Sequence, residues 1–274
     1  MSDESSWVPA GVDTKKANIA RVYDYWLGGT HNFLADQDAA RAIAAVAPNA
    51  PLVGLANRAF LARAVRFLAA NGVSQFLDIG SGIPTQGNVH EVAQQANPQA
   101  RVVYVDIDPV AVAHSKAILN GNPNAAVIEA DLHDPAKILE HEQTRRLIDF
   151  SQPVGLLLVA ILHFFPDSDN PTDNPYEIVA TLRDQLAPGS FLVFCHGTDD
   201  EIPETARAVK EIYDRSVANP LILRSGTQIL RFFDGFDVVD PGLVFIPQWR
   251  PDDPADVPPD PQTYGNLVGV GRKP

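Results

Sequence analysis

The stretch QFLDIGSGIPTQGN, residues 75–88, ends a short apolar run on an aspartate and follows it with two glycines around a serine. Gly80 and Gly82 let the backbone turn sharply and expose N–H groups, and Pro84 fits the first position of a helix, where its missing donor costs nothing. A helix amino terminus behind such a turn favours an anionic group. The same glycines would equally serve a tight strand-to-helix turn that binds nothing. Further on, VVYVDIDP places Asp106 at the end of a second apolar run. An acidic side chain at the carboxyl end of the strand beside a glycine turn can accept hydrogen bonds from both hydroxyls of a ribose. Together the two features point to an adenosine-like ligand. A dinucleotide fingerprint asks for a third glycine, and Thr85 stands there instead, which counts against a nicotinamide dinucleotide.

Other residues offer further chemistry. His163 follows the apolar run PVGLLLVAIL. An unperturbed imidazole titrates near neutrality, so His163 is a candidate general base, although a histidine bonded to backbone would look the same in sequence. His196, at the end of SFLVFCH, is a second candidate, and Cys195 beside it reads as core. Asp106 with Asp108, or His163 with Asp167 and Asp169, could be drawn as metal ligands. Asp108 before Pro109 suits a helix cap, however, and PDSDNPTDNP has the composition of a turn-rich loop, so no metal is expected. Near the start, RVYDYWLGGTHNF gathers Tyr23, Tyr25, Trp26 and Phe33 around Gly28 and Gly29, with Asn32 in the same segment. This suits a lid over cofactor and substrate, and the glycine pair fits a helix stop equally well. Arg21 and Arg58 are candidate partners for a ligand carboxylate.

These residues need elements to hold them. The chain has 274 residues, 45% of them hydrophobic, enough to bury a sizeable core. Up to residue 72 it reads as an N-terminal helical cap, with apolar residues three and four apart in ADQDAARAIAAVA and GLANRAFLARAVRFLAANG and a stop at Gly72. From residue 73, seven β-rich runs alternate with helical stretches, which argues for a doubly wound α/β sheet with right-handed crossovers. The last two runs lack a helix between them and should pair antiparallel across the proline-rich loop PQWRPDDPADVPPDPQTYG, read as a surface loop. One domain, 1–274, is expected, divided into cap 1–72 and core 73–274. No signal peptide or membrane span is apparent, and a single cysteine fits a reducing compartment, so the protein reads as cytoplasmic. A net charge of -13 with no basic cluster argues against nucleic acid as a partner. Whether the chain is a monomer or a homodimer is not written in it.

The motifs FLDIGSGIPT, VVYVDIDPVAV, EADLHDP, LLLVAILHFFPD and QLAPGSFLVFCH, in that order, resemble a class I S-adenosylmethionine-dependent methyltransferase. More narrowly, ARVYDYWLGGTHNFLADQDAA and FFDGFDVVDPGLVFIPQWRPD are similar to an actinobacterial methyltransferase-like group of unassigned substrate, and the resemblance spans roughly residues 17–272. It implies a Rossmann-like, mostly parallel seven-stranded sheet with an antiparallel last strand, and S-adenosyl-L-methionine as cofactor, leaving as S-adenosyl-L-homocysteine. It also implies roles. Asp78 would orient the turn or meet the cofactor amino group through water, with Gly80, Ser81 and Gly82 close to the methionine moiety. Asp106 would hold the ribose and Ile107 lie along the adenine, while Asp131 and the Leu132 backbone would meet the adenine amine; Asp131 could instead cap the helix after it. Ala160 and His163 would line the reaction centre. DNA amino-methylation is disfavoured, because AILHFFPD replaces the [D/N]PP[Y/F] type of sequence found in such enzymes. The expected reaction is methylation of an O, N or C atom on a small-molecule acceptor. A non-catalytic S-adenosylmethionine-binding protein and an NAD-dependent oxidoreductase stay open as alternatives.

Overall fold

Short runs rich in Val, Leu, Ile and Phe become parallel strands when both of their faces can be covered, and five such runs do so here. The structure, a computed structural model, describes residues 8–9, 12–84, 87–217 and 220–274. Three helices come first: α1 (Ile19–Trp26), α2 (Leu34–Val46) and α3 (Ala50–Ala70). Then β1 (Gln75–Ile79), α4 (Val89–Ala96), β2 (Arg101–Asp106), α5 (Pro109–Ile118) and β3 (Ala125–Glu129) alternate. The stretch expected as one helix after β3 breaks at His141 into α6 (Pro135–Glu140) and α7 (Glu142–Leu147), because His141 is extended and its Nδ1 caps the second piece. The order continues through β4 (Gly155–Val159), α8 (Pro175–Gln185), β5 (Phe191–Gly197), α9 (Pro203–Ser216) and α10 (Gly226–Leu230) to β6 (Asp237–Val238), β7 (Val244–Phe245) and β8 (Asn266–Arg272).

The strands lie in the order β3-β2-β1-β4-β5-β8-β6, with β7 also on β8. Neighbours from β3 to β5 are parallel, and β8 runs antiparallel to β5, β6 and β7. Eight strands therefore stand where seven were expected. The run FDVVDPGLVFI does not stay in register: Pro241 has no N–H for a ladder and Gly242 turns at φ 89°, so β6 and β7 pair separately with opposite ends of β8.

Alternate residues of each strand feed opposite layers. Leu77 of β1, Leu156 of β4 and Phe194 of β5 join α1, α2 and α6 to α9 in one core cluster. Phe76, Leu157 and Val193 join α3, α4 and α5 in the other. Among the described residues no single helix is long and apolar enough to cross a membrane; α2 and α3 pass on length and composition only as a pair bent by 101°.

The proline-rich segment between β7 and β8 is not merely a surface loop. Trp249 is fully buried, edge-on to Phe60 at 5.3 Å and Phe67 at 5.8 Å on α3. Arg63 of α3 donates to the carbonyls of Trp249 and Ile246, and Asn49 Nδ2 donates to Thr263 Oγ1 at 3.1 Å. The loop is thus clamped onto the helical cap. Removing a buried tryptophan costs about 3–5 kcal/mol, so Trp249→Ala is expected to lower stability by that much in urea unfolding; a loss within experimental error would show that the clamp is not part of the cooperative fold.

Candidate functional site

Two adjoining cavities open beyond the carboxyl ends of the parallel strands, where the chain turns from winding β1-β2-β3 to winding outward through β4 and β5. That reversal is where open α/β sheets bind ligands. The first cavity holds about 280 Å3 and is bounded by the turns after β1, β2, β3 and β4 together with α1 and α3. Asp78, Gly80, Ser81, Gly82, Asp106 and Ile107 line it, as do Asp131, Leu132 and Ala160.

Local geometry explains the glycines. Gly80 has φ 74°, and a Cβ there would lie 2.8 Å from Ile161 Cγ1, so a side chain is barred by conformation and by space. Gly82 has φ 67° with nothing within 4 Å of an added Cβ, so only conformation selects it. The expectation of N–H groups bared to a ligand is not met. Those of Gly80 and Ser81 donate to the Val105 carbonyl at 2.8 and 3.2 Å, and that of Gly82 donates to Asp106 Oδ2 at 2.7 Å. Pro84 is not the first residue of a helix either. Helix α4 starts at Val89 behind an Asn88 cap whose own N–H donates to Glu91, because Asn88 and Glu91 form a capping box that Pro84 cannot. Thr85, at the place of a third glycine, lies outside the described residues.

The carboxylates carry most of the site's electrostatics. Asp106 Oδ1 accepts from the Asp108 N–H at 2.9 Å, so its two oxygens tie the first turn to the second and each keeps acceptor capacity toward the cavity. Burial pushes its pKa up to about 6 against the help of those N–H groups. Asp78 is pushed up to about 7, again by burial, with the Arg58 guanidinium opposing and Asp106 adding to the rise. Among the described residues nothing hydrogen-bonds the Asp78 carboxyl, and Ser81 Oγ is buried without a partner. Arg58 borders the same cavity, donates to the Ile83 carbonyl and lies 5.8 Å from the Tyr23 ring.

Asp131 does not cap the following helix; Asp134 does, accepting from Lys137. Asp131 Oδ1 instead holds the backbone and ring of His133, whose imidazole stacks on Phe165 at 4.3 Å. Asp108 caps α5, as its sequence position suggests. Ile107 is 60% exposed and Leu132 is buried, on the same cavity wall.

The second cavity, about 150 Å3, meets the first at Ile19, Tyr23, Asn57 and Ala160. Ala160 sits at φ 60°, an unusual conformation for a residue with a side chain, which turns the chain away from β4 between the cavities. Trp26, Tyr213 and Tyr264 supply aromatic wall. His163 belongs to this cavity and not the first. Its Nδ1 accepts from the Gly197 N–H at 3.3 Å, and burial, His196 and Arg224 hold its pKa well below the usual range. That bond leaves the proton on Nε2, so the ring offers a donor, an environment that works against the expected general base. His196 is fixed likewise. Arg224 donates to its Nε2 at 2.7 Å, its Nδ1 faces the Gly197 carbonyl at 2.7 Å, and burial takes its pKa down to about 3. Burial raises the Cys195 thiol to about 12, in keeping with core.

The lid segment divides. Tyr23 and Trp26 face cavities; Tyr25 and Asn32 border neither. Tyr25 accepts from Arg41 at 3.4 Å, and Asn32 braces a loop by donating to Asp24 and Gly29. Gly28, at φ 77° just past α1, takes the helix-stop role. Arg21 is spent on Asp36 at 3.4 Å, leaving Arg58 as the cation at the cavity. Asn57 was missed, although it is a polar residue on the apolar stripe of Phe60, Leu61, Ala64 and Leu68. That break in the pattern was the available signal.

The S-adenosyl methyltransferase family has a model that matches residues 5–274. A candidate methyltransferase from Thermobifida fusca YX, solved as a crystal structure, is similar at 44% identity and a TM-score of 0.90, covering 98% of this chain and 99% of that one. A DUF574 family protein from Streptomyces avermitilis MA-4680 is similar at 38% identity and a TM-score of 0.90, covering 96% and 99%. An O-methyltransferase family protein from Burkholderia thailandensis shares the fold at 14% identity and a TM-score of 0.50, covering 88% and 60%. A search of curated proteins gave no match.

Because Asp78 and Asp106 keep protons in the fold that the unfolded chain releases near pH 4, stability of the ligand-free protein should fall as pH rises from about 4 to 7, by at most about 1.4 kcal/mol per pH unit for each group. Asp78→Asn should flatten that decline and raise stability at pH 8. Urea midpoints at pH 5 and pH 8 decide it, and an unchanged slope in the variant would show that Asp78 is ionised throughout.

Proposed function

The chain belongs to the S-adenosyl methyltransferase family and is an S-adenosylmethionine-dependent methyltransferase; from that premise we propose that it methylates a small molecule seated in the second cavity. The observation that carries this reading is the pair of cavities joined at Ile19, Tyr23, Asn57 and Ala160, one lined by acceptors and the other mostly by apolar walls. A protein that only sensed the cofactor would have no use for the second.

The residues of the first cavity fit the cofactor on chemical grounds. S-adenosylmethionine offers donors in its ammonium, ribose hydroxyls and adenine amine, and the cavity offers unmatched acceptors. Asp106 would take the ribose hydroxyls, Asp131 with the Leu132 backbone the adenine amine, and Asp78 the ammonium through water. Ile107 covers the adenine face, and Arg58 is suited to the carboxylate. Ser81 and the two glycines keep the turn close to the methionine portion.

Bound S-adenosylmethionine supplies a methyl group on a sulfonium, so that the acceptor's lone pair forms the new bond to carbon while the C–S bond breaks and its electron pair stays on the sulfur of S-adenosylhomocysteine. The protein's part is positioning and exclusion of water, which together account for about 7–11 kcal/mol at best. Tyr23 holds the junction: its hydroxyl donates to the Gly54 carbonyl at 2.9 Å and accepts from Asn57 Nδ2 at 3.1 Å. Burial raises its pKa to about 12, so it stays neutral, a fixed aromatic wall that would favour a bound sulfonium. His163 Nδ1 accepts from the Gly197 N–H and His196 Nε2 from Arg224, so neither imidazole offers a free acceptor nitrogen as a general base. The acidic net charge supports a cytoplasmic enzyme that does not act on nucleic acid, and the two similar structures fit an actinobacterial setting. The helices of α1 to α3 belong to the same catalytic unit as the sheet.

Isothermal titration tests the assignment. S-adenosylmethionine and S-adenosylhomocysteine should bind at micromolar concentration and NAD should not, and Asp106→Ala should weaken both sulfur ligands about 10- to 100-fold, the worth of charge-assisted hydrogen bonds to the ribose. Equal affinity in the variant would remove Asp106 from the ribose role.

A further inference from the structure

The second cavity has a chemistry of its own. Among the described residues that line it there is no Asp, Glu, Lys or Arg, although the chain as a whole is strongly charged. Its polar groups are hydroxyls, amides and one imidazole, and that imidazole, His163, is kept neutral by burial and by His196 and Arg224. The rest is apolar, with Trp26, Tyr213 and Tyr264 as flat surfaces and Ile43, Val209 and Leu223 between them. A charged molecule entering this space would give up its hydration and find no counter-ion, a cost that excludes it. An apolar cavity of about 150 Å3 holds a benzene-sized molecule.

A second observation comes from the junction. Asn57 is 6% exposed and borders both cavities. Its Nδ2 is used on Tyr23, while its Oδ1 is buried and has no hydrogen-bond partner among the described residues. A buried acceptor left unpaired is costly, and at a cavity it marks the place where a ligand's donor belongs. Among the groups that meet at the junction, Tyr23 O–H is already committed to the Gly54 carbonyl and cannot supply that donor.

We propose that the acceptor is an uncharged, single-ring aromatic molecule carrying a hydroxyl or N–H on or beside its reacting atom, and that Asn57 Oδ1 accepts from that group. This rests on the second cavity being the acceptor site. Asn57 is then a positioning and specificity residue: it turns the donor hydrogen toward itself and so directs the nucleophile's lone pair at the first cavity.

Four single-ring probes of similar size decide the matter: phenol, anisole, benzoate and benzylamine. Their binding to the full chain saturated with S-adenosylhomocysteine is measured by saturation-transfer NMR and calorimetry. Phenol should bind, and benzoate and benzylammonium should bind about tenfold more weakly or not at all, because neither finds a counter-ion. Anisole, which has no donor, should fall several-fold below phenol. Asn57→Leu should bring phenol down to the level of anisole without changing anisole. Ala206→Trp, which fills the cavity from α9, should abolish phenol binding while S-adenosylhomocysteine still binds; if that variant fails to fold, Thr205→Phe fills the same wall.

Benzoate or benzylammonium binding as tightly as phenol would overturn the proposal, as would phenol binding that survives both filling variants. Phenol retained at full affinity in Asn57→Leu would remove the role of Asn57. Failure of S-adenosylhomocysteine to bind the unaltered protein would count against the cofactor assignment instead, and the four-probe comparison without it still decides whether the second cavity selects uncharged rings.

Discussion

A sheet buried on both faces has no room for a polar side chain along most of its length, so this protein's chemistry is confined to the ends of its strands. Strands β1, β4 and β5 are almost wholly buried, and their alternating residues are divided between two apolar layers. Polar groups collect only where the ladder stops: Asp78 near the end of β1, Asp106 at the end of β2, and His196 near the end of β5. The helical layers then decide which ends become a site. On one side α3 brings Asn57 and Arg58 across the ends of β1 and β4, and α1 brings Tyr23 beside them. The cavities are the space the layers leave when the winding reverses.

The same confinement explains the unusual protonation of the carboxylates. Asp78 and Asp106 share one cavity, and burial outweighs the Arg58 guanidinium at Asp78 and the backbone N–H donors at Asp106. Such a site is poorly satisfied by itself. It is satisfied by a ligand that brings several donors and a positive charge, which is the character of S-adenosylmethionine. The second cavity has the opposite problem and the opposite solution: its histidine, His163, is kept neutral by burial, and Arg224 is turned away from it onto His196, Asp167 and two carbonyls. One cavity thus invites charge and the other refuses it, across a boundary only a few side chains thick.

Much of the first half of this site was legible in the sequence because it is local. The glycine turn follows its strand directly, and Asp106 ends the next one, so adjacency in the fold follows from adjacency in the chain. What the turn does with its N–H groups was not legible, since the partner of Gly82 is a carboxylate 24 positions away. Strand count failed where a two-residue pairing was decided by Pro241 and Gly242 and not by apolar content. The second cavity was the least legible. Its walls come from α1, α3, α9 and the segment before β8, and long-range assembly leaves no mark on local spacing. Tyr25 and Asn32 share a segment with Tyr23 and Trp26, yet helix phase and the Asp24-braced loop point them elsewhere.

The clamp of the C-terminal loop onto α3 has a consequence for how such a protein can change. The first cavity is built mostly from one continuous stretch from β1 to the turn after β3, whereas Thr263, Tyr264 and Gly265 close the second from the C-terminal segment before β8, held in place by Trp249 and Asn49. Inheritance is therefore partitioned. The loop tip can drift, lengthen or be exchanged and so reshape the second cavity while the first is left intact. Among the described residues Ile19, Tyr23, Asn57 and Ala160 alone are read by both cavities, and at those four positions a single substitution must satisfy two masters.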